Sequence, residues 1–169
     1  EFHKFILINT NMGFGNNIKG DSFVKNNYGE RFKNIKKTII FDKKKLEIFC
    51  KLAVKISDSL NKQVVIRPHP EEDHTPYLKA FRNYDNIKVV YKGSVIPWLI
   101  ACDNMIHSDC TTAIEYLFLG KKPISYLPKN YSEELVTHLP LEASSCFTSQ
   151  SEIISVLKEN PKSLNNVNL

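Results

Sequence analysis

The stretch VVIRPHPEED, Val64–Asp73, joins an apolar run directly to a rigid polar turn. Three β-branched residues followed by an arginine are typical of a buried strand and its end. Proline fixes its own φ angle and restricts the residue before it, so Pro68 and Pro70 hold His69 at a defined angle. The segment therefore predicts a core strand that presents an imidazole at its carboxyl end.

Strands and helices alternate on both sides of this segment. Because parallel neighbours need a crossover, which a helix supplies, this order predicts a parallel sheet. We expect a single α/β domain over 1–160, Rossmann-like and doubly wound, with a mainly parallel sheet, helices on both faces and a frayed tail at 161–169. The predicted strands are 4–10, 62–68, 86–92, 104–109, 122–128 and 146–149; the predicted helices are 42–60, 75–84, 94–102, 111–120, 132–139 and 149–159, with a Gly- and Asn-rich loop at 11–23.

Composition excludes several classes of protein. The chain has 169 residues, of which 42% are hydrophobic and 24% charged, enough to bury the core of one globular domain. No apolar run is long enough to span a bilayer. The four cysteines are widely spaced without a CxxC pair, which predicts reduced thiols in a cytoplasmic protein. We expect no metal and no other cofactor.

The net charge of +5 is densest between Arg31 and Lys45. We expect this basic run to form a solvated loop and the outer face of a helix. Peripheral contact with an anionic membrane surface, at the inner face of the membrane, is the alternative, because a polybasic patch gains affinity there. No basic-aromatic pattern and no helix-turn-helix spacing is present, so no nucleic-acid partner is expected.

The carboxyl ends of the predicted strands are where such a sheet binds its ligand. The imidazole of His69 can donate a hydrogen bond to a phosphate oxygen or a nucleobase, and Arg67 can hold a phosphate in bidentate fashion. Alternatively, Pro-His-Pro only ends the strand and caps the next helix. The residues at this edge are Asn9, Thr10, Asn11 and Gly13 after the first strand, Arg67, His69 and Pro70 after the second, and Ser108, Asp109, Thr111 and Thr112 after the fourth.

Hydroxyl side chains crowd the start of the helix predicted at 111–120. Free N–H groups and the helix dipole favour a phosphate there, and Ser108, Thr111 and Thr112 add donors. Asp109 would repel a phosphate, so we expect it to cap the helix or orient a neighbour. Thr112 and Glu115 also match a capping box, whereas Glu115 could instead bind a ribose.

The remaining features of this edge have structural interpretations. The helix is expected to bury Ile114, Leu117 and Phe118 and to end at Gly120. Gly13 and Gly15 permit close approach of the backbone to a ligand, although the loop does not match G-x-G-x-x-G and a plain flexible loop is the alternative. Trp98 is expected in the core, His107 in a structural role, and Glu71–Asp73 in a solvated turn.

Three segments in this order resemble the C-terminal half of bacterial surface-carbohydrate biosynthesis proteins of the GT-B glycosyltransferase type. These segments are ILINTNMGFGN (6–16), VVIRPHPEED (64–73) and SDCTTAIEYLFLGKKPISY (108–126). That family includes the 3-deoxy-manno-octulosonic acid (Kdo) transferases of capsule and lipopolysaccharide assembly. The resemblance spans Phe5 to Pro128.

The resemblance implies specific roles for the edge residues. His69 and Pro70 fall on the His-Pro pair with which bacterial sialyltransferases and CDP-glycerol polymerases hold a cytidine nucleotide. Ser108, Thr111 and Thr112 fall on the hydroxyl motif that holds the phosphate, and Glu115 on a ribose-binding acid. His69 is then the catalytic group that stabilises the departing CMP.

A GT-B enzyme has two Rossmann-like domains, and this chain corresponds to the second. The resemblance therefore implies a donor-nucleotide-binding domain for a CMP-activated acidic sugar of the Kdo or sialic acid type, inactive alone, with an acceptor-binding domain expected upstream. One alternative is a CDP-glycerol or CDP-ribitol phosphotransferase domain. Another is a non-catalytic domain that binds a nucleotide or a partner protein.

Overall fold

The computed structural model describes residues 4–129 and 131–159, so the predicted tail at 161–169 lies outside the described residues. The strands are β1 Ile6–Asn9, β2 Val64–Arg67, β3 Ile87–Val89, β4 Asn104–His107, β5 Ile124–Tyr126 and β6 Ser145–Phe147. The helices are α1 Gly20–Tyr28, α2 Ile35–Leu60, α3 Thr75–Phe81, α4 Ile96–Ala101, α5 Thr112–Phe118, α6 His138–Glu142 and α7 Gln150–Glu159, and Glu133–Leu135 is a 3₁₀ turn. None of the described helices is both long and apolar enough to cross a membrane.

The six strands form one parallel sheet in the order β3-β2-β1-β4-β5-β6. The chain extends the sheet first to one side of β1 and then to the other. The strand order therefore reverses between β1 and β4, the point at which such sheets bind ligands. The predicted doubly wound α/β fold is confirmed.

Helices cover both faces of this sheet, so the central strands are apolar on both sides. Along β1, Ile6 and Ile8 pack into a core with α2, α3 and α7. Phe5 and Leu7 point to the opposite face and pack with Leu99 of α4 and the buried Tyr116 of α5. Adjacent residues of a strand face opposite sides, and this alternation divides the core into two layers.

The predicted loop at 11–23 is correct for 11–19 but wrong for its last four residues, and the predicted start of α2 is wrong. Helix α1 begins at Gly20, and α2 begins at Ile35 rather than at residue 42. Val24 is the one buried residue of α1, so its apolar periodicity is weak, and it packs against Ile35 and Ile39 in the first turns of α2. The two helices therefore form through contact with each other, which local sequence does not reveal.

The predicted core face of α5 is also wrong in register. Ala113 and Tyr116 are buried, whereas Phe118 is 81% exposed. Tyr116 takes the inward position because it fills the core layer beneath α4. Trp98 lies only partly in the core, edge-on to Phe5 at 5.9 Å between ring centroids. The helix predicted at 132–139 is instead a 3₁₀ turn followed by α6.

Candidate functional site

The carboxyl ends of β2, β1 and β4 lie side by side at the reversal of strand order. Ile8 of β1 is level with Ile66 of β2 and Ile106 of β4. The residues that follow these three strands therefore emerge at one edge of the sheet. The candidate site is built from these three loops.

Side-chain hydrogen bonds join the ends of β1 and β4. Asn9 Nδ2 donates to Thr112 Oγ1 at 2.7 Å, and Asn11 Nδ2 donates to Asp109 Oδ1 at 3.1 Å. The Ser108 hydroxyl lies 2.7 Å from Asn11 Oδ1. Ser108 is fully buried, and its hydroxyl lies within hydrogen-bond distance of both Asn11 Oδ1 and, at 2.6 Å, Asp109 Oδ1. Both polar atoms of the Asn11 side chain are thereby oriented.

The start of α5 does not form the predicted capping box. Thr111 occupies the N-cap position without a side-chain capping bond, and Thr112 instead accepts a hydrogen bond from Asn9. Glu115 is exposed on the outer side of this seven-residue helix. At the other end, Gly120 follows the last turn with φ of 74°, and its N–H donates to the carbonyl oxygen of Leu117. The helix therefore ends at Gly120, as predicted.

His69 is exposed beyond β2 and lines a cavity of about 210 Å³ together with Asn11, Gly13, Phe14 and Glu71. Its Nδ1 accepts a hydrogen bond from the Glu71 N–H at 3.3 Å. In the neutral ring Nε2 therefore carries the proton and is a donor. The structure brings together three of the predicted site residues here, namely Asn11, Gly13 and His69.

Glu72 is buried, so the prediction of a solvated turn at 71–73 is wrong for this residue. Its carboxylate is 0% exposed and accepts hydrogen bonds from the Thr10 hydroxyl at 2.7 Å and from the Met12 and His69 N–H groups at 3.1 Å each. The Tyr77 hydroxyl donates to it at 2.5 Å. Glu72 therefore ties the loop after β1 to the turn that carries His69. No local signal distinguishes it from Glu71.

Other predicted site residues lie away from this cavity. Thr10 is buried with its hydroxyl committed to Glu72. The Arg67 guanidinium donates to the carbonyl oxygens of Lys92 and Gly93, so it holds the loop after β3. Pro70, Ser108, Thr111, Thr112 and Glu115 are not among the residues that line the His69 cavity.

A buried cluster of three charges lies on the β4 side of Asn11. Lys45 Nζ contacts Asp42 at 3.0 Å and Asp109 at 3.1 Å, and all three side chains are at most 5% exposed. The prediction of a solvated basic run is therefore wrong for Lys45. The cluster lines a second cavity of about 210 Å³ that shares Asn11 and Phe14 with the first.

Lys45 and Asp109 stabilise each other's charge, whereas burial outweighs the contact with Lys45 at Asp42 and raises the pKa of that carboxyl. Burial favours the neutral form of the Asp109 carboxyl, but Lys45 and hydrogen bonds from Ser108 and Asn11 outweigh it and lower the pKa. Burial likewise opposes the charge of Lys45, but its two carboxylate partners raise the pKa of the ammonium. Two roles were predicted for Asp109, capping the helix or orienting a neighbour. It orients Asn11 and does not cap α5.

His107 is buried beneath this edge. Its Nδ1 accepts from the Cys110 N–H at 3.2 Å, and its Nε2 lies 2.8 Å from Ser144 Oγ. Burial lowers the pKa of His107 to about 4, so the ring is neutral near pH 7. These contacts agree with the structural role predicted for it. Among residues 4–129 and 131–159, no three His, Cys, Asp or Glu side chains cluster as metal ligands would.

Gly15 and Gly13 are expected to respond very differently to alanine. A Cβ at Gly15 would lie 2.6 Å from both Asp42 Cβ and Ile39 O and 2.7 Å from Lys43 N, so α2 would have to move. We expect Gly15→Ala to cost about 2 kcal/mol or more in the free energy of unfolding, measured by urea denaturation. Gly15 therefore approaches α2 closely, which neither of its predicted roles, close approach to a ligand or a plain flexible loop, anticipated.

Gly13→Ala is the matched control for this prediction. Its Cβ would meet Glu71 and His69 atoms at 3.7–3.8 Å, which is ordinary contact. Stability should therefore change by less than about 0.5 kcal/mol. Equal destabilisation by the two substitutions would contradict the packing described for this loop.

Sheet order, strand polarity and the position of the edge residues define the chain as a Rossmann-like α/β protein. Among solved structures it is similar to the Methanocaldococcus jannaschii UDP-GlcNAc 2-epimerase in complex with UDP-GlcNAc and UDP, with 16% identity and a TM-score of 0.51. The match covers 96% of this chain and 41% of the epimerase chain, so the chain spans less than half of that protein. No family model and no curated protein matches the chain. At 16% identity this structural similarity is evidence for the fold alone.

Proposed function

We propose that this chain is the donor-nucleotide-binding domain of a glycosyltransferase of surface-polysaccharide biosynthesis, using a CMP-activated acidic sugar of the Kdo or sialic acid type. The observation that carries the proposal is the His69 cavity at the carboxyl edge of the sheet, between the loops that follow β1 and β2. There an imidazole donor faces the same space as Asn11 and the small Gly13. The similar fold of an epimerase whose structure holds UDP-GlcNAc and UDP supports nucleotide-sugar binding in general.

The edge residues fall into two groups according to their surroundings. His69, Asn11 and Gly13 contact the nucleotide, whereas Thr10, Arg67 and Ser108 hold the edge in shape through the hydrogen bonds described above. The cavity of about 210 Å³ is smaller than a typical ligand pocket of about 300–1,000 Å³. It therefore takes one group of the nucleotide, and the rest extends over the exposed surface towards the start of α5.

In this proposal Thr111, Thr112 and Glu115 complete the nucleotide contacts at the start of α5, and Pro70 keeps the His69 turn rigid. The phosphate of CMP gains negative charge as the sugar leaves, and a hydrogen bond from His69 Nε2 stabilises that charge. An acceptor-binding partner domain supplies the remaining groups. No metal or cofactor is part of the proposal.

Titration calorimetry of the 169-residue chain with cytidine nucleotides tests this proposal. We expect CMP to bind more tightly than UDP or GDP. His69→Ala should weaken CMP binding about tenfold or more, because a hydrogen bond to a charged group contributes about 1.5–3 kcal/mol. His69 is exposed, so the melting temperature should hardly change, and His69→Gln, which keeps a side-chain donor, should bind CMP more tightly than His69→Ala.

Two outcomes would refute the assignment. Tighter binding of UDP or GDP than of CMP would rule out a cytidine donor. Unchanged CMP affinity in His69→Ala, with a lower melting temperature, would leave His69 a structural role only. The CDP-glycerol or CDP-ribitol phosphotransferase alternative predicts that CDP-glycerol binds better than CMP-Kdo in the same titration.

A further inference from the structure

A groove of about 410 Å³ runs between α2 and the segment that follows β5. Its apolar floor on the α2 side is formed by Ile40, Phe41 and Ile48. Pro128 and Leu135 form the apolar part of the opposite wall. This groove does not include His69 or any residue of its cavity.

Every charged residue that lines the groove is a lysine, namely Lys37, Lys44, Lys45 and Lys129. Lys45 is committed to its two buried carboxylates, and Lys37 makes an exposed contact with Glu134 at 3.3 Å. Lys44 and Lys129 are exposed, and within the described part of the chain neither has an acidic partner within 4 Å. The groove therefore offers uncompensated positive charge at its rim.

An exposed isoleucine stands among these lysines. Ile40 is 57% exposed, and on α2 it lies three residues after Lys37 and four residues before Lys44. Residues at these spacings share one face of a helix, so two ammonium groups flank an apolar side chain. A site for a small hydrophilic anion would not need such an apolar floor. Lysines around exposed apolar residues are typical of helices that lie on lipid surfaces.

We propose that this lysine groove docks the chain on an anionic phospholipid membrane. Lys37, Lys44 and Lys129 contact the phosphates of the headgroups, and Ile40 enters the boundary between headgroups and acyl chains. The inference does not depend on nucleotide binding at the His69 cavity. Lipid is favoured over nucleic acid because the groove is lined between its lysines by aliphatic side chains.

Vesicle co-sedimentation of the full 169-residue chain tests the proposal. We expect binding to phosphatidylcholine vesicles that contain phosphatidylglycerol, no binding to phosphatidylcholine alone, and weaker binding as salt rises. Each lysine near an anionic surface contributes roughly fivefold in affinity. Lys44→Glu with Lys129→Glu should therefore lose about 25-fold or more, and Ile40→Ser should lose affinity without changing the salt dependence.

Lys51→Glu with Lys55→Glu is the matched control, because these exposed lysines lie on α2 outside the groove. This pair should lose less than about threefold, and melting curves should show that all variants fold. The proposal fails if vesicles of both compositions bind equally or neither binds, or if the control pair loses as much. It also fails if glycerol phosphate competes at equal phosphate concentration, which indicates a soluble ligand, or if a mixed-sequence RNA binds while vesicles do not.

Discussion

Replacing Lys45 by methionine is expected to lower the free energy of unfolding by about 3–5 kcal/mol, because it leaves buried carboxylates without their cation. Lys45 contacts both Asp42 and Asp109, and neither carboxylate is more than 5% exposed. Methionine has a similar length, so lost volume explains little of the effect. Urea denaturation of the variant and the parent chain measures the difference.

Lys44→Met is the control for this experiment, since the neighbouring lysine is exposed and should change stability by less than about 0.5 kcal/mol. Adding Asp109→Asn to Lys45→Met removes one uncompensated charge, so the double variant should recover part of the lost stability. A strictly additive double variant would show that the two residues do not act as a pair. Equal effects of the two lysine substitutions would refute the buried cluster.

Glu72→Ala is expected to cost about 4 kcal/mol or more, because it removes the shared acceptor of several buried donors. The Thr10 and Tyr77 hydroxyls and the N–H groups of Met12 and His69 all donate to this carboxylate. A buried donor without a partner costs about 1–3 kcal/mol. Denaturation of the variant should show this loss, and CMP should bind less well because the His69 turn is no longer tied to the loop after β1.

Glu71→Ala is the neighbouring control, because Glu71 is exposed and its side-chain contact is a long one, 3.5 Å from the Tyr28 hydroxyl. Its stability should remain within about 0.5 kcal/mol of the parent chain. Glu72→Gln should fall between the parent and Glu72→Ala, since the amide keeps one acceptor oxygen. If Glu71→Ala were the more destabilising substitution, the assignment of the buried acid would be wrong.

Strands β1 to β5 and their polarity could be predicted because each lies in a short apolar run bounded by polar or Pro- and Gly-containing turns, whereas β6 has a weaker signal because Phe147 is its one large apolar residue. Helix α1 and the first turns of α2 could not be predicted. Val24, Ile35 and Ile39 make a core only when the two helices meet, and neither segment shows a strong apolar face alone. The predicted buried face of α5 was wrong for a related reason, since Tyr116 rather than Phe118 packs beneath α4.

The charged residues show the same limit more strongly. Lys44 and Lys45 are adjacent, yet one is exposed and the other is 3% exposed. Likewise Glu71 lines the His69 cavity, whereas Glu72 is buried beneath it. The partners that decide these differences, such as Asp109 for Lys45 and Thr10 for Glu72, lie more than 60 residues away along the chain.

By itself the sequence determined the α/β class and which residues stand at the carboxyl edge of the sheet, because both follow from local periodicity and from the polarity of parallel strands. Only the tertiary structure decided which of those residues face a cavity and which are committed to one another. His69 lines a cavity, Asn11 lines the same cavity although Ser108 and Asp109 also hold its side chain, and Thr10 and Ser108 are buried. Burial and hydrogen bonding of a polar side chain depend on groups that folding brings from distant parts of the chain, and no local pattern specifies them.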